Sequence, residues 1–185
     1  DARVLAWWDY GYQISALANR TTLADGNTWN HEHIALLGRC LVSPEPEAHA
    51  IVRHLADYVL VITSRHSGVG GADLDKSPHM ARIAGSIYPP VNASAMQMDA
   101  DRQPSASMRQ SLLYRLHSWN IVPEVAPLEA FEEAYTTSNR LLRIYRVLNV
   151  SETSKQWRKE HGPGYPPALI DIVNKAVAWG QAPTK

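Results

Sequence analysis

Cysteine is nearly absent from this 185-residue chain. Cys40 stands alone, so no internal disulfide can brace the fold, and it reads as a buried helix residue. Neither charge is in excess: 18 Lys and Arg balance 18 Asp and Glu, which removes the basic footprint that nucleic-acid binding needs. No apolar run reaches the roughly 18–20 residues of a membrane helix. The longest, Tyr58 to Thr63, reads as a strand. No signal peptide is visible. Metal patterns are missing too. His31 and His33 point to different helix faces, and neither they nor His49 and His54 form a His-Glu-x-x-His motif. Gly68-Val69-Gly70-Gly71 lacks a following Lys-Ser/Thr, so it reads as a flexible loop rather than a phosphate cradle. No Ser-His-Asp or Cys-His relay can be argued.

What is present can build a core. Hydrophobic residues make up 45% and charged residues 19%, a balance that excludes a disordered tail. The length suits one domain, residues 1–185, with no repeat or linker. Strands are expected at Arg3 to Trp7, Thr21 to Ala24, Asp57 to Thr63 and Arg140 to Val150. Helices are expected at Tyr10 to Asn19, at His31 to Leu41 behind an Asn30 cap, and from Ser43-Pro44 to Leu55, with Pro44 first in the helix. Further helices are expected at Ser107 to Trp119 and Ala168 to Trp179. Ser64 to Ala72 and Asn92 to Ser105 read as loops, the second polar and mobile. The class is mixed α/β (α+β), a mainly helical globular domain with a few short strands.

Trp7-Trp8-Asp9 carries the chemistry. It offers indole N–H donors, a carboxylate acceptor and broad apolar faces within three residues. A small hydroxyl could give its proton to Asp9 and accept from an indole. The bland alternative is two core Trp with a turn Asp. Asp73-x-x-Lys76-x-x-x-Met80 is the second constellation. On one helix Lys76, Met80 and Ile83 share a face, but Ser77-Pro78 has the form of a cap and first turn, which would start the helix at Pro78. Its bland alternative is a surface ion pair plus one core Met.

Trp7-Trp8-Asp9-Tyr10-Gly11-Tyr12-Gln13-Ile14, Ala18-Asn19-Arg20-Thr21-Thr22 and Asp25-Gly26-Asn27-Thr28-Trp29-Asn30 closely resemble the catalytic subunit of oligosaccharyltransferase. The likeness continues through His33-Ile34-Ala35, Asp57 to Val61, Asp73 to Ile83 and Arg143 to Val147, in the same order. Ser77-Pro78-His79 is most similar to trypanosomatid-type members. Members of that family transfer an oligosaccharide from dolichyl pyrophosphate to Asn in Asn-X-Ser/Thr. The resemblance implies that Trp7, Trp8, Asp9, Lys76, Met80 and Ile83 form the pocket for the acceptor's Ser or Thr, supported by Tyr10, Gly11 and Asp73. A buried methyl beside Met80 or Ile83 would favour Thr over Ser roughly fourfold, about 0.8 kcal/mol.

The family's members are polytopic, so the chain, starting at Asp1 where their globular part begins, is expected to be an excised C-terminal lumenal domain of an endoplasmic reticulum membrane protein. Mn or Mg and the catalytic carboxylates are expected in the membrane half, with no catalytic residue or metal here. The isolated domain would be inactive. Partners would be the acceptor polypeptide, the dolichyl-pyrophosphate donor and other subunits. A Trp-rich carbohydrate-binding module, with Trp7, Trp8 and Trp29 stacking on sugars, or a subunit-docking domain remain alternatives. Asn19, Asn92 and Asn149 stand in sequons, Asn92 being the best placed to carry glycan. Asn30-His31-Glu32 does not keep a further sequon found in eukaryotic members.

Overall fold

The computed structural model describes residues 2–63, 72–162, 164–171 and 173–174. The expected Gly-rich loop, except Ala72, and half of the expected last helix lie outside them, although Leu169 and Val173 are buried as that helix requires.

Five strands form one mixed sheet in the order β2-β1-β3-β5-β4. They are β1 (Arg3–Leu5), β2 (Thr21–Thr22), β3 (Tyr58–Ile62), β4 (Phe131–Thr136) and β5 (Leu142–Val147). β1 runs parallel to β2 and β3, while β5 is antiparallel to β3 and β4. Along β5, Arg143, Tyr145 and Val147 point inward and Arg146 outward, the alternation a half-covered sheet demands.

Helices cover one face: α1 (His31–Val42), α2 (Glu45–Leu55), α3 (Ala72–Ile87), α4 (Ala106–Gln110), α5 (Leu112–Ser118) and α6 (Glu152–His161). Leu5, Trp7, Leu36, Leu41, Ile51, Val59, Leu74, Met80, Leu112 and Tyr145 belong to one continuous core. Asn30 caps α1 as expected, its Oδ1 accepting from the Glu32 and His33 amides. Cys40 is buried, which pushes its thiol up to about 12. At Gly38 a Cβ would stand 2.7 Å from the Met80 carbonyl oxygen, so only glycine lets α1 and α3 approach this closely.

Five expectations need correction. α3 does not begin at Pro78. It runs through it, because the Leu74 carbonyl that loses the proline N–H accepts the Ser77 hydroxyl instead at 2.7 Å. Pro44 is the cap of α2, not its first residue. The expected helix over 107–119 breaks at Ser111, whose extended backbone bridges to Pro44 while its Oγ caps α5. Residues 92–105 are organised rather than loose: Met96 is buried and the Asp99 carboxylate accepts from the Asp101 and Gln103 amides. At the helix expected over 10–19, Ile14 is buried but Leu17 and Ala18 are exposed, and the turn over Gln13–Leu17 is wider than an α-helix. β4 and α6 are additional to the sequence reading.

Candidate functional site

β1 and β3 are adjacent parallel strands, so their carboxyl ends lie side by side. Trp7 and Trp8 leave the end of β1. Asp73, at the start of α3, reaches back to the end of β3, where its Oδ2 accepts the Ile62 amide at 2.8 Å. Ligand sites in α/β sheets form at this edge, because chain ends there diverge and leave polar groups free.

Trp8–Tyr10 is a single tight turn. Gly11 follows it because a Cβ there would stand 2.4 Å from the Asp25 Cβ and 2.5 Å from the Ala24 oxygen. The turn turns Asp9 toward α3. Lys76 Nζ donates to Asp9 Oδ2 at 2.6 Å and to the Tyr10 hydroxyl at 3.0 Å, and lies over the Tyr10 ring. The Tyr10 hydroxyl donates to Asp73 Oδ1 at 2.5 Å. Asp73 is buried, and desolvation raises its pKa against the opposing pull of the Ile62 amide and the Tyr10 hydroxyl. Burial, then the Asp73 charge, raises the Tyr10 phenol, so it stays protonated.

Two motifs more than sixty residues apart thus meet through one ion pair. Asp9 keeps 31% of its side chain exposed, and only its Oδ2 is engaged by Lys76. Trp8 is half-buried, and its Nε1–H is buried with no partner among the described residues. Trp7 is 1% exposed and belongs to the core. Its ring meets Trp8 at 6.3 Å and the edge of His79 at 6.2 Å. Met80 has no exposed surface, so here it is a core residue behind the site, whereas Ile83 stays partly exposed on the same stripe of α3. The sequence reading missed His79 as a neighbour of Trp7. Its place three residues after Lys76 was the available signal.

Among the described residues no group of three His, Cys, Asp or Glu converges as a metal site. None of their helices is long and apolar enough to cross a membrane. A cleft of about 710 Å³ between Pro44, Pro104, Tyr114 and Val125 includes none of the motif residues.

Residues 1–150 match the STT3/PglB/AglB core domain. The chain belongs to this oligosaccharyltransferase family. It is 39% identical over 173 residues to the Saccharomyces cerevisiae dolichyl-diphosphooligosaccharide–protein glycosyltransferase subunit STT3, covering 80% of this chain and 24% of that protein. It is 38% identical over 162 residues to the Dictyostelium discoideum subunit STT3, covering 85% and 21%. The chain therefore spans about a quarter of the length of the curated relatives it matches. The fold is that of the C-terminal globular domain of an Archaeoglobus fulgidus oligosaccharyltransferase, with a TM-score of 0.54, 20% identity, and coverage of 80% of this chain and 86% of that one. Within the STT3/PglB/AglB family chain, the three sequon Asn are all exposed. Asn92 Oδ1 accepts from the Ser94 amide and hydroxyl, and Asn19 and Asn149 hold positive φ of 50° and 52°.

Proposed function

We propose that residues 1–185 are the acceptor-recognition domain of an oligosaccharyltransferase, reading the Ser or Thr hydroxyl of Asn-X-Ser/Thr. The intact protein transfers oligosaccharide from dolichyl pyrophosphate to the Asn, and this domain lies on the lumenal side of the endoplasmic reticulum membrane. Mn or Mg, held outside the described residues, would polarise the donor's pyrophosphate there. Substrates are thus the acceptor polypeptide and the lipid-linked donor, with other subunits as partners.

The observation that carries the reading is the Trp8 Nε1–H, without a partner among the described residues, next in sequence to the Asp9 carboxylate, of which Lys76 engages only Oδ2. A buried N–H without a partner is costly, and a ligand oxygen relieves the cost. A hydroxyl is the smallest group that accepts from Trp8 and donates to Asp9 at once. A side chain without one leaves both unpaired and is rejected. Trp7 and Met80 hold the platform from behind. Ile83 supplies the apolar contact for the Thr methyl.

Asp9→Ala in the intact enzyme is expected to remove most peptide glycosylation while circular dichroism of the protein stays unchanged. Wild-type transfer by the folded variant would refute the role of Asp9. One observation favours the alternative of a non-catalytic carbohydrate-binding or docking domain: Trp29 is 95% exposed. Trp7, being core, has no face to offer a sugar. Trp29→Ala should therefore leave transfer intact on the sequon reading.

A further inference from the structure

The polar groups behind Asp9 are arranged in series. The Ile62 amide holds Asp73 Oδ2, Asp73 Oδ1 holds the Tyr10 hydroxyl, that oxygen accepts from Lys76, and Lys76 holds Asp9 Oδ2. Asp73 uses a different oxygen for each of its links, and the Tyr10 hydroxyl both donates and accepts. Asp73 is pinned by the backbone of β3, so the series ends on the sheet itself. Lys76 has a competing position within reach, because Asp73 Oδ1 lies only 3.9 Å from its Nζ. The Tyr10 oxygen fills that gap. It occupies Asp73 Oδ1 and leaves Lys76 available to Asp9.

We propose that Tyr10 is a positioning residue for the acceptor hydroxyl: its phenol oxygen keeps Lys76 on Asp9 rather than on Asp73, and so orients the Asp9 carboxylate with one oxygen open. This rests on the reading of Asp9 as the hydroxyl's acceptor. Tyr10→Phe keeps the ring under Lys76 but removes the oxygen. Lys76 then collapses onto Asp73, which is buried and newly short of a partner, and Asp9 loses the contact that fixes its rotamer. Tyr10 touches no substrate. Its removal acts on acceptor binding through Asp9 and not on the reacting amide.

The test is steady-state transfer to an Asn-X-Thr peptide by the intact enzyme, comparing wild type, Tyr10→Phe, Asp9→Ala and the double variant. Tyr10→Phe is expected to raise KM roughly tenfold, the loss of one charge-assisted contact, with kcat nearly unchanged. The double variant should be no worse than Asp9→Ala, because the two act as one unit. A wild-type KM in Tyr10→Phe, a fall in kcat alone, or a further loss in the double variant would each overturn the proposal. If Tyr10→Phe does not fold because Asp73 is left buried without a partner, Tyr10→Phe with Asp73→Asn replaces it; with the competing carboxylate neutralised, Lys76 stays on Asp9 and KM should lie near that of wild type. A KM raised roughly tenfold there would equally overturn it. If Asp9→Ala transfers normally, the sequon reading itself fails. If Asp9→Ala is impaired while Tyr10→Phe is not, only the role of Tyr10 fails.

Discussion

Single residues decide how the site is built, and they were unequally legible. Trp8 and Asp9 could be named from their donor and acceptor chemistry. The burial of Met80 could not, because helical spacing fixes a face but not what covers it. Here α1 covers it, brought close by Gly38. The partner of Asp9 was also hidden, since no spacing rule pairs residues 9 and 76. Gly11 gives a direct check. Gly11→Ala places a Cβ against Asp25 and the Ala24 backbone, and overpacking of that kind costs about 1–3 kcal/mol. Thermal unfolding should show a lower Tm by several degrees, since about 1 kcal/mol moves a domain of this size by a few degrees. Ile83→Ala should abolish the roughly fourfold preference for Thr over Ser peptides expected from one buried methyl, as measured by kcat/KM. A preference that persists would assign the methyl contact elsewhere.

At the scale of elements, patterned segments were readable and compensated ones were not. Asn30 announced α1, and the Val-Leu-Val run announced β3. Ser77-Pro78 misled because the same pair that starts helices can also plug one, with the Ser hydroxyl replacing the missing N–H. β4 was missed because it is an edge strand in which only Phe131 is fully buried. α6 was missed because its polar residues show little apolar periodicity; its Ser151 cap, accepting from the Ser154 amide, is visible only with the fold in hand. Ser77→Ala should destabilise by about 1 kcal/mol, the worth of one backbone-directed hydrogen bond. Adding Pro78→Ala should recover it, because the new N–H can reach the Leu74 carbonyl. Denaturant midpoints of the two variants check this, and a double variant weaker than the single one would contradict it.

For the molecule as a whole, the mixed α/β class was legible from composition and element pattern, whereas the meeting of the two motifs was implied by the family resemblance and by no pattern in the residues themselves. The meeting follows from β1 and β3 being parallel neighbours, a topology no local signal encodes. The interior also sets an acid limit. His117 is 4% exposed, its Nε2 has no partner among the described residues, and burial and then the buried Arg143 lower its pKa to about 4. The unfolded chain takes up this proton near its ordinary value of about 6.5, while the native state resists. Stability is therefore present above about 6.5 and lost as pH falls toward 4. His117→Gln should flatten urea stability over that window; an unchanged slope would exclude His117 as its source.

The most direct test of the account is a chemical-shift titration of this domain with Asn-X-Thr, Asn-X-Ser and Asn-X-Val peptides. The Trp8 indole N–H, without a partner among the described residues, serves as the reporter of the proposed site. A hydroxyl binding to Trp8 and Asp9, less the cost of ordering the peptide, leaves affinity at about millimolar or weaker. The predicted result is a shift of the Trp8 indole resonance with Thr, a smaller one with Ser, and almost none with Val. Equal binding of Val and Thr, or movement elsewhere with Trp8 silent, would contradict the claim that this domain reads a hydroxyl.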